Sequence, residues 1–137
     1  MICTALVVLF CSVLVVKVPL VAHATDGPDF CGSCHVMESE VDSYLHASHR
    51  EVASCGDCHI PHDIITGSYY KAYTGVKDAA FVMMGKTEHV EAGDLAKQII
   101  QNNCLSCHSD LMSMVGDTKD EYGRYCFDCH TTVRHTK

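Results

Sequence analysis

An apolar run from Ile2 to Val16, "ICTALVVLFCSVLVV", opens the chain; Lys17 interrupts it, and "VPLVAHA" carries it to Ala24. A helix over residues 2–22 with a single charge is long enough to cross ~30 Å of hydrocarbon at ~1.5 Å per residue. Lys17, near one end, can snorkel to the interface. The stretch also has a feature of an export leader, because "AHA" at 22–24 resembles a cleavage site, although no basic residues precede the apolar core. A retained anchor is the favoured reading, with residues 1–24 as anchor and 25–137 outside the hydrocarbon. Cys3 and Cys11, inside the run, are read as small apolar residues.

Beyond Ala24 the pattern becomes helical and short-ranged. Residues 38–49, "ESEVDSYLHASH", put Val41, Tyr44, Leu45 and Ser48 on one helix face. "IPHD" at 60–63 reads as a turn in which Asp63 can start a helix. Segment 69–84, "YYKAYTGVKDAAFVMM", is rich in aromatic and apolar residues that should be buried or face a membrane. In it Lys71 and Asp78 lie seven apart, close to two helical turns, so they share a face. Gly75 between them weakens a helix by about 1 kcal/mol or marks a close approach. "EAGDLAKQIIQNN" at 91–103 is a second amphipathic helix, with Asp94 as its N-cap.

Composition narrows the fold. The chain has 137 residues, and its part beyond the anchor is small for an ordinary hydrophobic core. The formal charge of −7 argues against a nucleic-acid partner.

Ten cysteines and ten histidines then dominate the picture. Cys-x-x-Cys-His, the signature of covalent c-type haem attachment, occurs four times: Cys31/Cys34/His35, Cys55/Cys58/His59, Cys104/Cys107/His108 and Cys126/Cys129/His130. Two thiols add to the haem vinyl groups, and the adjacent histidine is pinned beside the iron. Zinc knuckles, iron–sulfur sites or a disulfide framework would account for the cysteine pairs but leave the four histidines unexplained. Four covalent haems in so short a chain must themselves be the core. The expected fold is mainly α with little regular structure, wrapped around the porphyrins. Such haem is attached outside the cytoplasm, which places residues 25–137 in the periplasm.

The histidines outside the motifs form the pool of further axial ligands. His49 and His135 are the favoured distal ligands by position. His46, three residues before His49, shares its helical face and suits a supporting hydrogen bond. His62 could ligate, bond a propionate or be solvated. His89 reads as a surface residue and His23 as interfacial.

The anchor together with "CGSCHVM", "SYLHASH", "SCGDCHIPH", the Lys71–Asp78 segment, "NNCLSCH" and "YCFDCHTTVRH" resembles the NapC/NirT/NrfH family of membrane-anchored tetrahaem quinol dehydrogenases. Within it the NrfH type, the small subunit of the cytochrome c nitrite reductase complex, is most alike. The resemblance implies that Met37 replaces His35 on the first haem, the opposite axial face staying open or weakly occupied near Asp78. Spacing alone leaves open that His35 ligates and Met37 merely packs on the ring. A thioether is a poorer donor than imidazole, which raises the potential of an electron-accepting haem. The resemblance also places Lys71 and Asp78 at a menaquinol site. There Asp78, partly desolvated against Phe81 and the methionines, would be a proton acceptor of raised pKa. Lys71 would hold a quinol oxygen or balance Asp78. Tyr69, Tyr70 and Tyr73 suit the membrane interface. His49 and His135 match distal ligands of later haems, and a partner lysine, His46 or His62 could complete the haem on His59. The implied activity is menaquinol oxidation at the cytoplasmic membrane, with electrons passed in a hetero-oligomer to a periplasmic multihaem reductase, foremost a pentahaem nitrite reductase. The competing readings are a soluble tetrahaem shuttle released after Ala24 and a filament-forming cytochrome.

Overall fold

The computed structural model describes residues 2–17, 24–85 and 92–133. Those residues contain helices and turns and no strand. The first helix, α1, spans Ile2–Lys17, 16 residues. Among the described residues no helix is long and apolar enough to cross a membrane. The expected span of 2–22 continues into residues 18–22, outside the described ones.

Longer helices alternate with single turns in the rest of the described chain. A short α2, Pro28–Cys31, leads into the first motif, and a 3₁₀ turn, His35–Met37, feeds α3, Glu38–Leu45. The helix expected to reach residue 49 stops at Leu45, where the Tyr44 hydroxyl folds the chain back. It lies 2.9 Å from the Ala53 carbonyl oxygen and 3.1 Å from that of Arg50. The second motif forms α4, Cys55–His59, capped by Asp57, whose carboxylate accepts from Ser54 N–H at 2.7 Å.

Helix α5, Ile64–Met83, is the longest at 20 residues. Asp63 caps it, accepting from the N–H groups of Ile65 and Thr66, as its position after Pro61 suggests. Gly75 does not interrupt it. Gly67 is needed for a different reason: a Cβ there would collide with the Pro61 carbonyl oxygen.

Helix α6, Asp94–Cys107, carries the third motif in its last turn. Its N-cap is Gly93 and not the expected Asp94, which instead sits in the first turn and complements the helix dipole. Three short helices follow, α7 (Ser109–Met112), α8 (Thr118–Tyr122) and α9 (Cys126–Cys129), the last holding the fourth motif, and a 3₁₀ turn, Thr131–Val133, ends the described residues. Helices α4 and α9 both pack on α6.

The polypeptide encloses almost no core of its own. Among the described residues Ile99 is the one buried hydrophobic side chain, while large apolar groups such as Ile65, Tyr69, Val76, Met83 and Met114 are exposed. This matches the expectation that the bulk of the interior is not protein.

Candidate functional site

The four attachment motifs lie next to one another in chain order. The thiols of Cys31 and Cys55 are hydrogen bonded; that contact holds Cys31 down at about 7 and, with burial, pushes Cys55 up. Burial raises Cys58, with Cys107 of the third motif adding to the rise. Burial also pushes Cys104 up to about 11, with Cys126 of the fourth motif nearby. None of the eight motif cysteines is in a disulfide. Among the described residues no three His, Cys, Asp or Glu side chains converge as zinc-knuckle ligands would.

The first motif differs from the others, and the difference begins at Cys34. Cys58, Cys107 and Cys129 each lie within a helix together with the first cysteine of their motif. Cys34 lies outside any helix, three residues beyond the end of α2, with extended backbone at φ −98° and ψ 125°. Its thiol is exposed and that of Cys31 half-buried, as in the third and fourth motifs, so the first motif is set apart by its backbone and not by exposure. The physical reason is the break at Gly32 and Ser33, where the chain leaves α2 and re-enters a 3₁₀ turn at His35. Cys34 and Cys31 remain joined through the backbone, Cys34 N–H lying 3.4 Å from the Cys31 carbonyl oxygen.

That extended residue swings the motif histidine outward. The His35 side chain is 97% exposed, with Nδ1 3.1 Å from Glu38 Oε2. Met37, at the end of the same 3₁₀ turn, is half-buried. The motif histidine is thus engaged by a carboxylate, while the thioether two residues on is the more enclosed of the two.

His49 and His108 come together from distant parts of the chain. The turn that carries His49 is tied at both ends. Its carbonyl accepts from the N–H groups of Val52 and Ala53, and Ser48 N–H donates at 3.3 Å to Thr132, just beyond the fourth motif. The His49 and His108 ring centroids are 6.0 Å apart. Two imidazoles facing one metal at ~2.0 Å from each donor nitrogen would take a similar spacing, so these residues fit a bis-histidine haem iron.

The remaining histidines are placed as follows. His46 caps the end of α3 with Nδ1 2.8 Å from the Asp42 carbonyl oxygen, so it shares no helix face with His49, because the helix has already ended. His62 has Nε2 3.0 Å from the Asp57 carbonyl and Nδ1 3.2 Å from Ser106 Oγ, so it joins the second motif to the third. His59 and His130 close the second and fourth motifs, with His59 half-buried and His130 exposed. His23, His89 and His135 lie outside the described residues.

Lys71 and Asp78 lie on one face of α5, about 10 Å apart along its axis. They do not pair. Lys71 Nζ reaches Asp26 Oδ1 at 2.5 Å and Thr25 Oγ1 at 2.6 Å. The expected balancing of Asp78 by Lys71 is therefore not observed. Asp78 is also not desolvated by its neighbours: its side chain is 68% exposed and 3.9 Å from Lys77, and Met83 and Met84 are exposed as well. Asp26 packs so closely on the second motif that a Cβ on Gly56 would lie 2.5 Å from its Cγ. Its part in the site has no signal in the sequence.

Sequence comparison agrees with this architecture. Residues 1–137 match the NapC/NirT cytochrome c family, N-terminal region. Cytochrome c nitrite reductase subunit NrfH of Nitratidesulfovibrio vulgaris is 33% identical over 82% of this chain and 70% of its own length. Cytochrome c-type protein NrfH of Wolinella succinogenes is 30% identical over 85% of this chain and 72% of its own. A chain in the crystal structure of the cytochrome c nitrite reductase NrfHA complex bound to the HQNO inhibitor superposes with a TM-score of 0.73 and 32% identity. It covers 96% of this chain and 90% of its own length.

Proposed function

Since the chain belongs to the NapC/NirT cytochrome c family, we propose that it is a membrane-anchored tetrahaem quinol dehydrogenase. In this reading it oxidises menaquinol and passes the electrons to a periplasmic multihaem reductase, the catalytic subunit of a cytochrome c nitrite reductase. The observation that carries the proposal is the likeness to a chain of the NrfHA complex across 96% of this sequence.

Bound haem supplies one-electron acceptance, so a two-electron quinol must release its electrons singly and its protons to the protein. Asp78, exposed on α5 with Phe81 three residues on along the same face, takes a quinol proton. Lys71 does not neutralise it. Locked to Asp26 and Thr25, Lys71 fixes α5 against the segment entering the first motif, and so fixes where Asp78 stands relative to Cys31. Cys31 and Cys34 tether the first haem. Met37 would hold its iron, and His35, engaged by Glu38, would not. His108 with His49, His59 and His130 would hold the later irons, and His135 would be available as a further ligand. The exposed apolar face of α5 and the apolar α1 rest against lipid.

The test is direct. Holoprotein purified in detergent is mixed anaerobically with a reduced menaquinone analogue, and haem reduction is followed by absorbance. Rapid reduction, and onward transfer to a pentahaem nitrite reductase, are expected. Haems that dithionite reduces but quinol does not would refute the proposal. A mature N-terminus at Thr25 would refute the anchor.

A further inference from the structure

Two polar residues of α6 are buried more completely than any apolar residue among those described. Gln101 is 2% exposed and Asn103 is close behind. A buried carboxamide is costly unless its hydrogen bonds are made. Both make them, and neither makes those described to its own helix.

Asn103 Nδ2 donates to the Cys58 carbonyl at 3.0 Å and to the Ile60 carbonyl at 2.8 Å. These are the carbonyls on either side of His59. Gln101 Oε1 accepts from Cys126 N–H at 2.9 Å, at the first residue of the fourth motif. Its Nε2 donates at 2.8 Å to Asp117 Oδ1, the same oxygen that caps α8 through Lys119 N–H. Residues two apart on a helix point about 200° from each other. Helix α6, which ends in the third motif, therefore reaches the second motif from one side and the fourth from the other.

We infer that Asn103 and Gln101 are positioning residues that set the orientation of the second and fourth haems relative to the third. Asn103 acts by bracketing the backbone of His59, and Gln101 by fixing the start of the Cys126–Cys129 turn. With both amide protons engaged, Asn103 leaves the peptide carrying His59 little freedom to rock, and this holds the imidazole plane. Ser106 and His62 add a second strut across the same seam. This assignment rests on the four-haem reading of the motifs and not on the identity of the electron donor.

The test uses purified holoprotein. Covalent haem is counted first, and four per chain in the unsubstituted protein is the premise; a lower count there would fail the haem reading itself. Asn103→Leu, an isostere without donors, is expected to keep four haems, to move one electron paramagnetic resonance signal and one midpoint potential, and to leave the other three in place. Asn103→Gln should fall between it and the parent. Gln101→Glu should move a different haem, and adding Asp117→Asn, which restores the donor–acceptor pair, should bring it back. If Asn103→Leu loses haem, loss confined to the Cys55–Cys58 peptide by mass spectrometry supports the assignment, and equal loss at all four motifs overturns it. Four-haem variants with every signal and potential unchanged, or both substitutions moving the same haem, overturn it as well.

Discussion

Lys71 turns away from Asp78 and closes on Asp26, with Nζ 2.5 Å from Oδ1. The two partners stand far apart in the chain, on either side of the first two motifs, and each side chain is only about a quarter exposed, at 25% and 26%. A pair so placed ties the entry to the first motif onto the middle of α5.

This pair should be measurable. A double-mutant cycle of Lys71→Met and Asp26→Asn, read by denaturant unfolding of the holoprotein, is expected to give a coupling of about 1 kcal/mol, at the upper end for partly exposed pairs. Strict additivity of the two substitutions would show that the contact contributes nothing.

Asp78 is the proposed proton acceptor. Asp78→Asn should slow quinol-driven haem reduction about 100-fold or more, in line with the loss of a general base, while dithionite reduction and haem content stay unchanged. An undiminished rate would remove the residue from the mechanism.

The outward turn of His35 toward Glu38 sets apart two substitutions in one motif. His35→Ala should leave the spectrum of the first haem in place. Met37→Leu should abolish its methionine-to-iron charge-transfer absorption and lower its midpoint potential. The reverse pattern would make His35 the ligand.

Two glycines of α5 should respond with opposite sign. A methyl group added at Gly75 would have nothing within 4 Å, so Gly75→Ala should stabilise the holoprotein by about 0.5–1 kcal/mol. At Gly67 the methyl group would meet the Pro61 backbone, and Gly67→Ala should cost about 1–3 kcal/mol. Thermal scans of the two variants check both.

The chemistry was legible because it is spelled in adjacent residues: Cys-x-x-Cys-His needs no tertiary knowledge, and Asp63 announces its helix by following Pro61. What sequence could not supply were relations across the chain. Periodicity carried the helix of residues 38–49 past its true end, since the closure by the Tyr44 hydroxyl onto Ala53 is not a periodic signal. Spacing carries no information on the backbone of Cys34, which is extended where Cys58, Cys107 and Cys129 are helical. Seven-residue spacing correctly put Lys71 and Asp78 on one face, yet it could not reveal that Asp26 takes the lysine instead. The amphipathic pattern of residues 91–103 marks a helix but does not single out Gln101 and Asn103. Their burial became visible only once the second and fourth motifs were seen flanking them.

A polypeptide whose described residues bury a single isoleucine has little reason to stay folded before its pigments are bonded in. Cells starved of haem, or lacking the attachment machinery, should therefore accumulate no pool of colourless precursor. Proteases would clear it as fast as it is exported, and the abundance of this chain on an immunoblot would track haem supply.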